Sequence, residues 1–179
     1  MTANRKYFVD VFSDIVDDVV TLCTANGIDE PNYLYGHFRD IVDILTERDQ
    51  SGTYKFTKYP LICLIQDFTE EMGNSRNQYT VSPTVLIVTD TEMTYHSSDR
   101  YTNIFKPILY PIYEYLLEAM NRSSHLWHYP QDEIPHEKTD RVYWGKLGLY
   151  GSEGTVFNDR IDAIELKFEN LEIKKQLNC

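Results

Sequence analysis

The sequence predicts an α+β fold: a four-stranded, mainly antiparallel sheet with one long helix packed across it, plus N-terminal helices, in the order α-α-β-β-α-β-β. Three observations lead there. The stretch from Arg100 to Asn121, RYTNIFKPILYPIYEYLLEAMN, places Ile104, Ile108, Ile112, Leu116 and Met120 at every fourth position, and Phe105 and Leu109 widen the stripe. A helix this apolar has to lie on another surface. An extended apolar pair precedes it (Tyr59–Phe68 and Tyr79–Thr89), and a second pair follows it (Ile134–Trp144 and Arg160–Lys174). With 179 residues, 42% of them hydrophobic, the chain suffices for one domain over 1–179. Residues 1–50 are its helical N-terminal part and 54–179 its sheet-plus-helix core.

The first element is a helix from about Arg5 to Asn26. Phe8, Val11, Phe12, Ile15, Val19 and Leu22 share one side, while Asp10, Asp14, Asp17, Asp18 and Thr21 share the other. Asn26-Gly27 is a suitable stop, since glycine accepts a left-handed backbone. From Asn32 to Arg48, Leu34, Phe38, Ile41 and Leu45 recur at helical spacing and predict a second helix, with Gly36 interrupting its first turn. Asp49 to Gly52 then breaks it.

YPLICLIQDF (Tyr59–Phe68) is apolar on both parities, as in a strand covered on both faces, and Pro60 belongs at its start. The polar run Glu70–Gln78 connects it to an antiparallel partner around Val85–Val88. Thr102 or Asn103 is suited to cap the central helix. Pro111 inside that helix costs roughly 3 kcal/mol and predicts a kink. Thr139–Trp144 is a strand. In Arg160–Lys174, Ile164, Leu166 and Phe168 share a face, Asp162 and Glu169 are poorly placed for it, and Leu171 and Ile173 switch parity. That switch predicts a bulge or turn near Glu169-Asn170.

Between the last strands, Gly145, Gly148, Gly151 and Gly154 weaken fixed structure, yet Leu147, Leu149, Tyr150, Val156 and Phe157 are too apolar for a solvated tip. This is the candidate assembly loop, apolar anchors that order against a partner. The alternative is a long hairpin connection folded back on its own sheet.

Formal net charge is −11 and the pI about 4.8. An acidic surface without a basic patch repels phosphate backbones, so no specific nucleic-acid binding is expected. The longest apolar run, PLICLI, is too short to span a bilayer, and MTANRKYFVDVF lacks the apolar core of a signal peptide. Cys23, Cys63 and Cys179 form no motif; the first two read as small buried hydrophobes in a reducing compartment. The expected site of synthesis is therefore the cytoplasm.

The sharpest enzymatic signal is Glu165-Leu166-Lys167 within AIELKF. Metal-dependent nucleases of the PD-(D/E)xK type place such a pair on a strand, where carboxylates bind Mg²⁺ and the lysine helps activate water. Asp140, Asp159 or Asp162 would supply the upstream acid. The competing reading is an ordinary amphipathic strand with its charges in water. His125, His128 and His136 lack the spacing of a zinc set, and no Gly-x-Ser-x-Gly elbow or phosphate loop occurs. No catalytic residue, cofactor or metal is expected.

The core order helix–strand–strand–helix–strand–strand, preceded by an extra helix, resembles the neck proteins of long-tailed phages, the tail terminator and tail-completion family. The runs YLYGH (Tyr33–His37), KYPLICLIQDF (Lys58–Phe68), RYTNIFKPILYPIY (Arg100–Tyr113) and NDRIDAIELKFENLEI (Asn158–Ile173) look like short proteins of prophage structural gene clusters. They cover less than half the chain, and none is a chemical motif. The resemblance implies a structural, ring-forming protein, typically hexameric, that caps the tail tube and joins it to the head. Its partners would be further copies of itself, the tail tube and head–tail connector proteins. Its place would be the virion neck, assembled in the host cytoplasm.

Overall fold

Helix α1, Phe8–Ala25, forms as its periodicity predicts: Phe8, Val11, Phe12, Ile15, Val16, Val19 and Cys23 are buried, while Asp10, Asp14, Asp17 and Asp18 are exposed. Its end is a Schellman closure. Gly27 (φ +69) turns the chain so that Gly27 N–H reaches Thr24 O and Ile28 N–H reaches Cys23 O, at 3.2 and 3.0 Å. The computed structural model of the protein describes residues 7–50, 58–72, 78–127, 134–144 and 159–174, with 49 and 50 described by backbone alone.

The next segment corrects the expectation. Asn32–Gly36 is a strand, β1, and the second helix, α2, spans only Phe38–Gln50. Leu34 fits a helical stripe and a strand equally well, and pairing decides between them. β1 lies parallel to β2 (Leu61–Glu71), with Asn32 opposite Leu61, and Asn32 N–H donates to Pro60 O at 2.8 Å. Tyr33 then packs on the core containing Phe12 and Leu34 on the opposite core, the alternation of a strand. Gly36, at φ +147, adopts a backbone that side chains avoid and releases the chain into α2. Parallel neighbours need a crossover, and α2 is that crossover.

The sheet among the described residues therefore has six strands and is mixed, where four were expected. β3 is Gln78–Asp90, β4 His136–Arg141, β5 Ile161–Phe168 and β6 Leu171–Lys174. The order is β1-β2-β3-β5-β4, with β6 also on β3, and every pair except β1–β2 is antiparallel. The expected β2–β3 hairpin pairing forms, and Leu61–Ile65 is buried on both faces. Ile62 and Leu64 join the core under α1, whereas Leu61, Cys63 and Ile65 join the core under Ile41 and Leu45 of α2. Helices thus cover both faces of the sheet. β4 starts earlier than expected and stops before Tyr143, whose positive φ (51°) turns the chain out of the ladder.

Two irregularities keep apolar residues on their proper faces. Between the pairs Ile65↔Thr84 and Thr69↔Ser82, β2 runs four residues against two, so Phe68 stays on the side of Ile62 and Leu64. Between Thr84↔Lys167 and Val81↔Leu171, β3 advances three residues and its partner four. This one-residue bulge at Glu169-Asn170, expected from the parity switch, puts Leu171 and Ile173 in the same core as Ile164, Leu166 and Phe168. Asn170 sits at φ 55° and its N–H donates to Ser82 Oγ at 3.1 Å.

The central helix is longer than expected and changes type along its length. It begins as α3 (Ser97–Arg100), widens into a π-helix over Tyr101–Leu109, and continues as α4 (Tyr110–Arg122). Thr102, expected as a cap, lies inside it, with its hydroxyl donating to Ser98 O at 2.9 Å. Pro107 falls within the π-helix and Pro111 in the first turn of α4; the last wide turn closes with Tyr110 N–H on Phe105 O. A proline removes one N–H and crowds the carbonyl four residues back, and a wider turn moves that carbonyl away. The strain predicted at Pro111 is thus met by π-helix just before it. Ile104, Phe105, Leu109, Ile112, Leu116, Ala119 and Met120 are buried, and α4 packs beside α1.

Because Asn170 occupies a left-handed backbone, Asn170→Val is expected to destabilise the protein by about 1–2 kcal/mol, whereas Asn170→Gly is tolerated. Chemical denaturation of the two variants distinguishes these outcomes.

Candidate functional site

Arg100 ends the first turn of the central helix and is only 3% exposed; Asp162, on the helix-facing side of β5, is fully buried. The guanidinium Nη1 donates to both carboxylate oxygens of Asp162 and to Thr91 Oγ1, and Nη2 donates to Glu92 O at 3.0 Å. Tyr143 closes the arrangement. Its ring centroid lies 3.4 Å from Arg100 Cζ, its N–H donates to Asp162 Oδ1, and its hydroxyl reaches Met93 O and Tyr95 O. A carboxylate in this position needs a cation, and the planar guanidinium supplies several donors at once. Arg100 Nε has no acceptor among the described residues.

Further along the helix, a polar and aromatic cluster meets edge strand β4. Tyr110 donates its hydroxyl to Asp140 at 2.7 Å, and Lys138 pairs with the same carboxylate. Lys138 Nζ lies 4.6 Å from the Tyr110 ring centroid and 5.5 Å from that of Tyr113. His136 Nδ1 faces Ile134 O at 2.6 Å; a carbonyl only accepts, so Nδ1 carries the proton. In the neutral ring Nε2 then accepts from the Tyr113 hydroxyl at 2.9 Å. Burial, then the hydrogen bond to Asp140 and its charge, push the Tyr110 hydroxyl up to about 12. Burial, followed by Glu114 and Asp140, raises Tyr113 as well. Both phenols stay neutral at physiological pH, so this surface offers hydrogen bonds and stacking faces with no added charge. Tyr101, half exposed, extends it edge-on to Tyr110.

The sequence-predicted residues are distributed as follows. Glu165 faces the α2 side, where Arg141 Nε donates to it at 3.0 Å and Lys167 Nζ lies 4.0 Å away. Asp162 faces the opposite side, bound to Arg100. Asp140 is held by Tyr110 and Lys138, and Asp159 by Lys58 and the Tyr59 hydroxyl. Glu165 and Lys167 are neighbours, but each proposed upstream acid is engaged with a different cation. Among the described residues, no group of three or more His, Cys, Asp or Glu is placed to hold a metal. His125 lies in the turn after α4, while His128 falls outside the described residues. The candidate assembly residues Leu147, Leu149, Tyr150, Val156 and Phe157 also lie outside them. The strands that flank this loop are tied together, with Trp144 N–H donating to Ile161 O at 3.0 Å.

A cleft of about 600 Å³ lies between α1 and β1, with Asp17, Asp29 and Glu30 among its lining residues. Glu30 accepts the Thr24 hydroxyl there and adds to the burial that raises Cys23 to about 11. Sequence reasoning missed Arg100 and Tyr143 as anchors. The available signal was Asp162 itself: an acid on the apolar parity of a strand requires a buried cation, and Arg100 heads the helix that covers that strand.

Removing one partner of the buried pair leaves an uncompensated charge. Asp162→Ala is expected to destabilise the protein by about 3–5 kcal/mol, and pairing Arg100→Met with Asp162→Leu to recover much of that loss. Thermal and chemical denaturation of the single and double variants measure this. Incubation of the wild type with DNA and Mg²⁺ or Mn²⁺ is expected to give no cleavage. Metal-dependent nicking that disappears in Glu165→Ala would return Glu165 and Lys167 to the catalytic role. No protein-family model matches the chain, and no curated protein sequence does.

Proposed function

We propose that this protein is a structural, ring-forming component of a phage neck, capping the tail tube and joining it to the head in the role of a tail terminator or completion protein. The observation that carries this reading is the arrangement of β2, β3, the central helix, β4 and β5. Two strands, a helix across the face and two more strands form one sheet, and that is the element order on which the family resemblance rests. At both ends of the strand order, β1 and β4 have a neighbour on one side only among the described residues. Open sheet edges suit contacts between protomers, and a head-to-tail contact that closes by rotation makes a ring. A hexamer is the ring size the family implies.

The outer face of α1 supports the same reading. Asp10, Asp14, Asp17 and Asp18 are all exposed along it, and such a face turned to a channel repels passing DNA. In this proposal Leu147, Leu149, Tyr150, Val156 and Phe157 dock against the tail tube or a connector protein. No helix among the described residues is long and apolar enough to cross a membrane.

Electron microscopy of particles carrying the labelled protein is expected to place it as a ring at the head–tail joint. Its absence from purified virions would remove the proposal. Serine at Leu149 and Phe157 is expected to lower incorporation into particles at least tenfold while the purified protein keeps its melting temperature.

A further inference from the structure

We infer that β4 is a self-complementary docking edge, on which a second copy of this chain adds its own β4 antiparallel about a two-fold axis at Thr139. This goes beyond the neck reading and does not depend on it, since it concerns the free protein. β4 hydrogen-bonds to β5 on one side and has no strand on the other among the described residues. Glu137, Lys138, Thr139 and Asp140 are all exposed. The side chains of Lys138 and Asp140 are only 27% and 34% exposed, held towards the helix-facing side of the strand by Tyr110. A row of backbone donors and acceptors open to solvent is a template for another strand.

Charge on an edge strand ordinarily deters such pairing, because like charges meet. Here the pattern of β4, Glu137-Lys138-Thr139-Asp140-Arg141, reverses its charge through its centre. Centred on Thr139, an antiparallel copy sets Glu137 opposite Arg141, Lys138 opposite Asp140, and Thr139 opposite itself. Each ion pair occurs twice. A one-residue slip sets Glu137 against Asp140 in one direction and Lys138 against Arg141 in the other. A two-residue slip sets Lys138 against Lys138 or Asp140 against Asp140. The Thr139-centred register is thus free of like-charge opposition, while each of these slips creates it.

The groups are also held ready. Lys138 and Asp140 already pair on the helix-facing side, steadied by Tyr110 and the Tyr113 ring, so a second copy continues their pair into a ladder of four alternating charges. Arg141 uses its Nε and one terminal nitrogen on Glu165 and has further donors for Glu137 of the second copy. The register keeps side chains of one face opposite one another, so the helices of both copies lie on the same side of a continuous sheet. A six-residue edge buries little area, so this contact is weak and salt-sensitive.

Charge exchange tests it in full-length protein by sedimentation velocity over a concentration series. The wild type is expected to self-associate at low salt and to dissociate as salt rises. Lys138→Asp and Asp140→Lys are each expected to weaken association at least tenfold, and an equimolar mixture of the two to restore a heterodimer. Circular dichroism checks the fold of each, and Glu137→Lys, which touches neither the Lys138–Asp140 nor the Arg141–Glu165 pair, is expected to weaken association without affecting it. A wild type that stays monomeric throughout, or association unchanged by all three substitutions, would overturn the inference.

Discussion

A buried carboxylate on a sheet strand dictates much of how this protein is put together. Asp162 is fully enclosed, and an ionised group there without a cation would cost several kcal/mol. Arg100 meets that requirement from the start of the central helix, so one interaction pins the head of that helix against the end of β5. Tyr143 stacks on the guanidinium and ties both to the segment before the helix through Met93 O and Tyr95 O. Its left-handed backbone carries a strain of about 1–3 kcal/mol, which three hydrogen bonds and the stack offset. Beyond this fixed point the helix is free to widen around its prolines, because its buried face still reaches the sheet.

The sheet solves a second problem, that of keeping apolar residues inward along strands that do not run in simple register. Side chains alternate faces, so a single unmatched residue would turn every later one outward. The bulge at Glu169-Asn170 converts that liability into a correction, since the sequence itself changes parity at the same point. The irregularity in β2 is of the other kind: two residues are added and parity is kept. Asn170 is suited to its site because its short polar side chain tolerates a left-handed backbone better than a branched one.

These features place the chemistry of the molecule at its edges. Glu165, Asp140, Asp159 and Asp162 are each matched to a cation, and the phenols around Lys138 are held neutral. Among the described residues, what is presented to the outside is an acidic helix face, two strand edges with no neighbouring strand and an aromatic corner beside β4. These features support the proposed role in a ring and the inferred edge pairing through Thr139.

By itself the sequence determined those elements whose signal is local. The α1 stripe and its glycine stop, the doubly buried β2, the apolar central helix and the bulge before Leu171 all follow from side-chain periodicity within one segment. Tertiary structure decided whatever depended on a distant partner. Asn32–Gly36 carries a spacing that suits helix or strand, and only the backbone ladder offered by β2 selects the strand. The limits of β4 depend on Tyr143 leaving the ladder to reach Asp162 and Arg100, residues far from it in sequence. Asp162 looked misplaced on an apolar parity because its cation lies sixty-two residues away along the chain. Periodicity reports which face of a segment is buried; it carries no information about which backbone or charge will be waiting there.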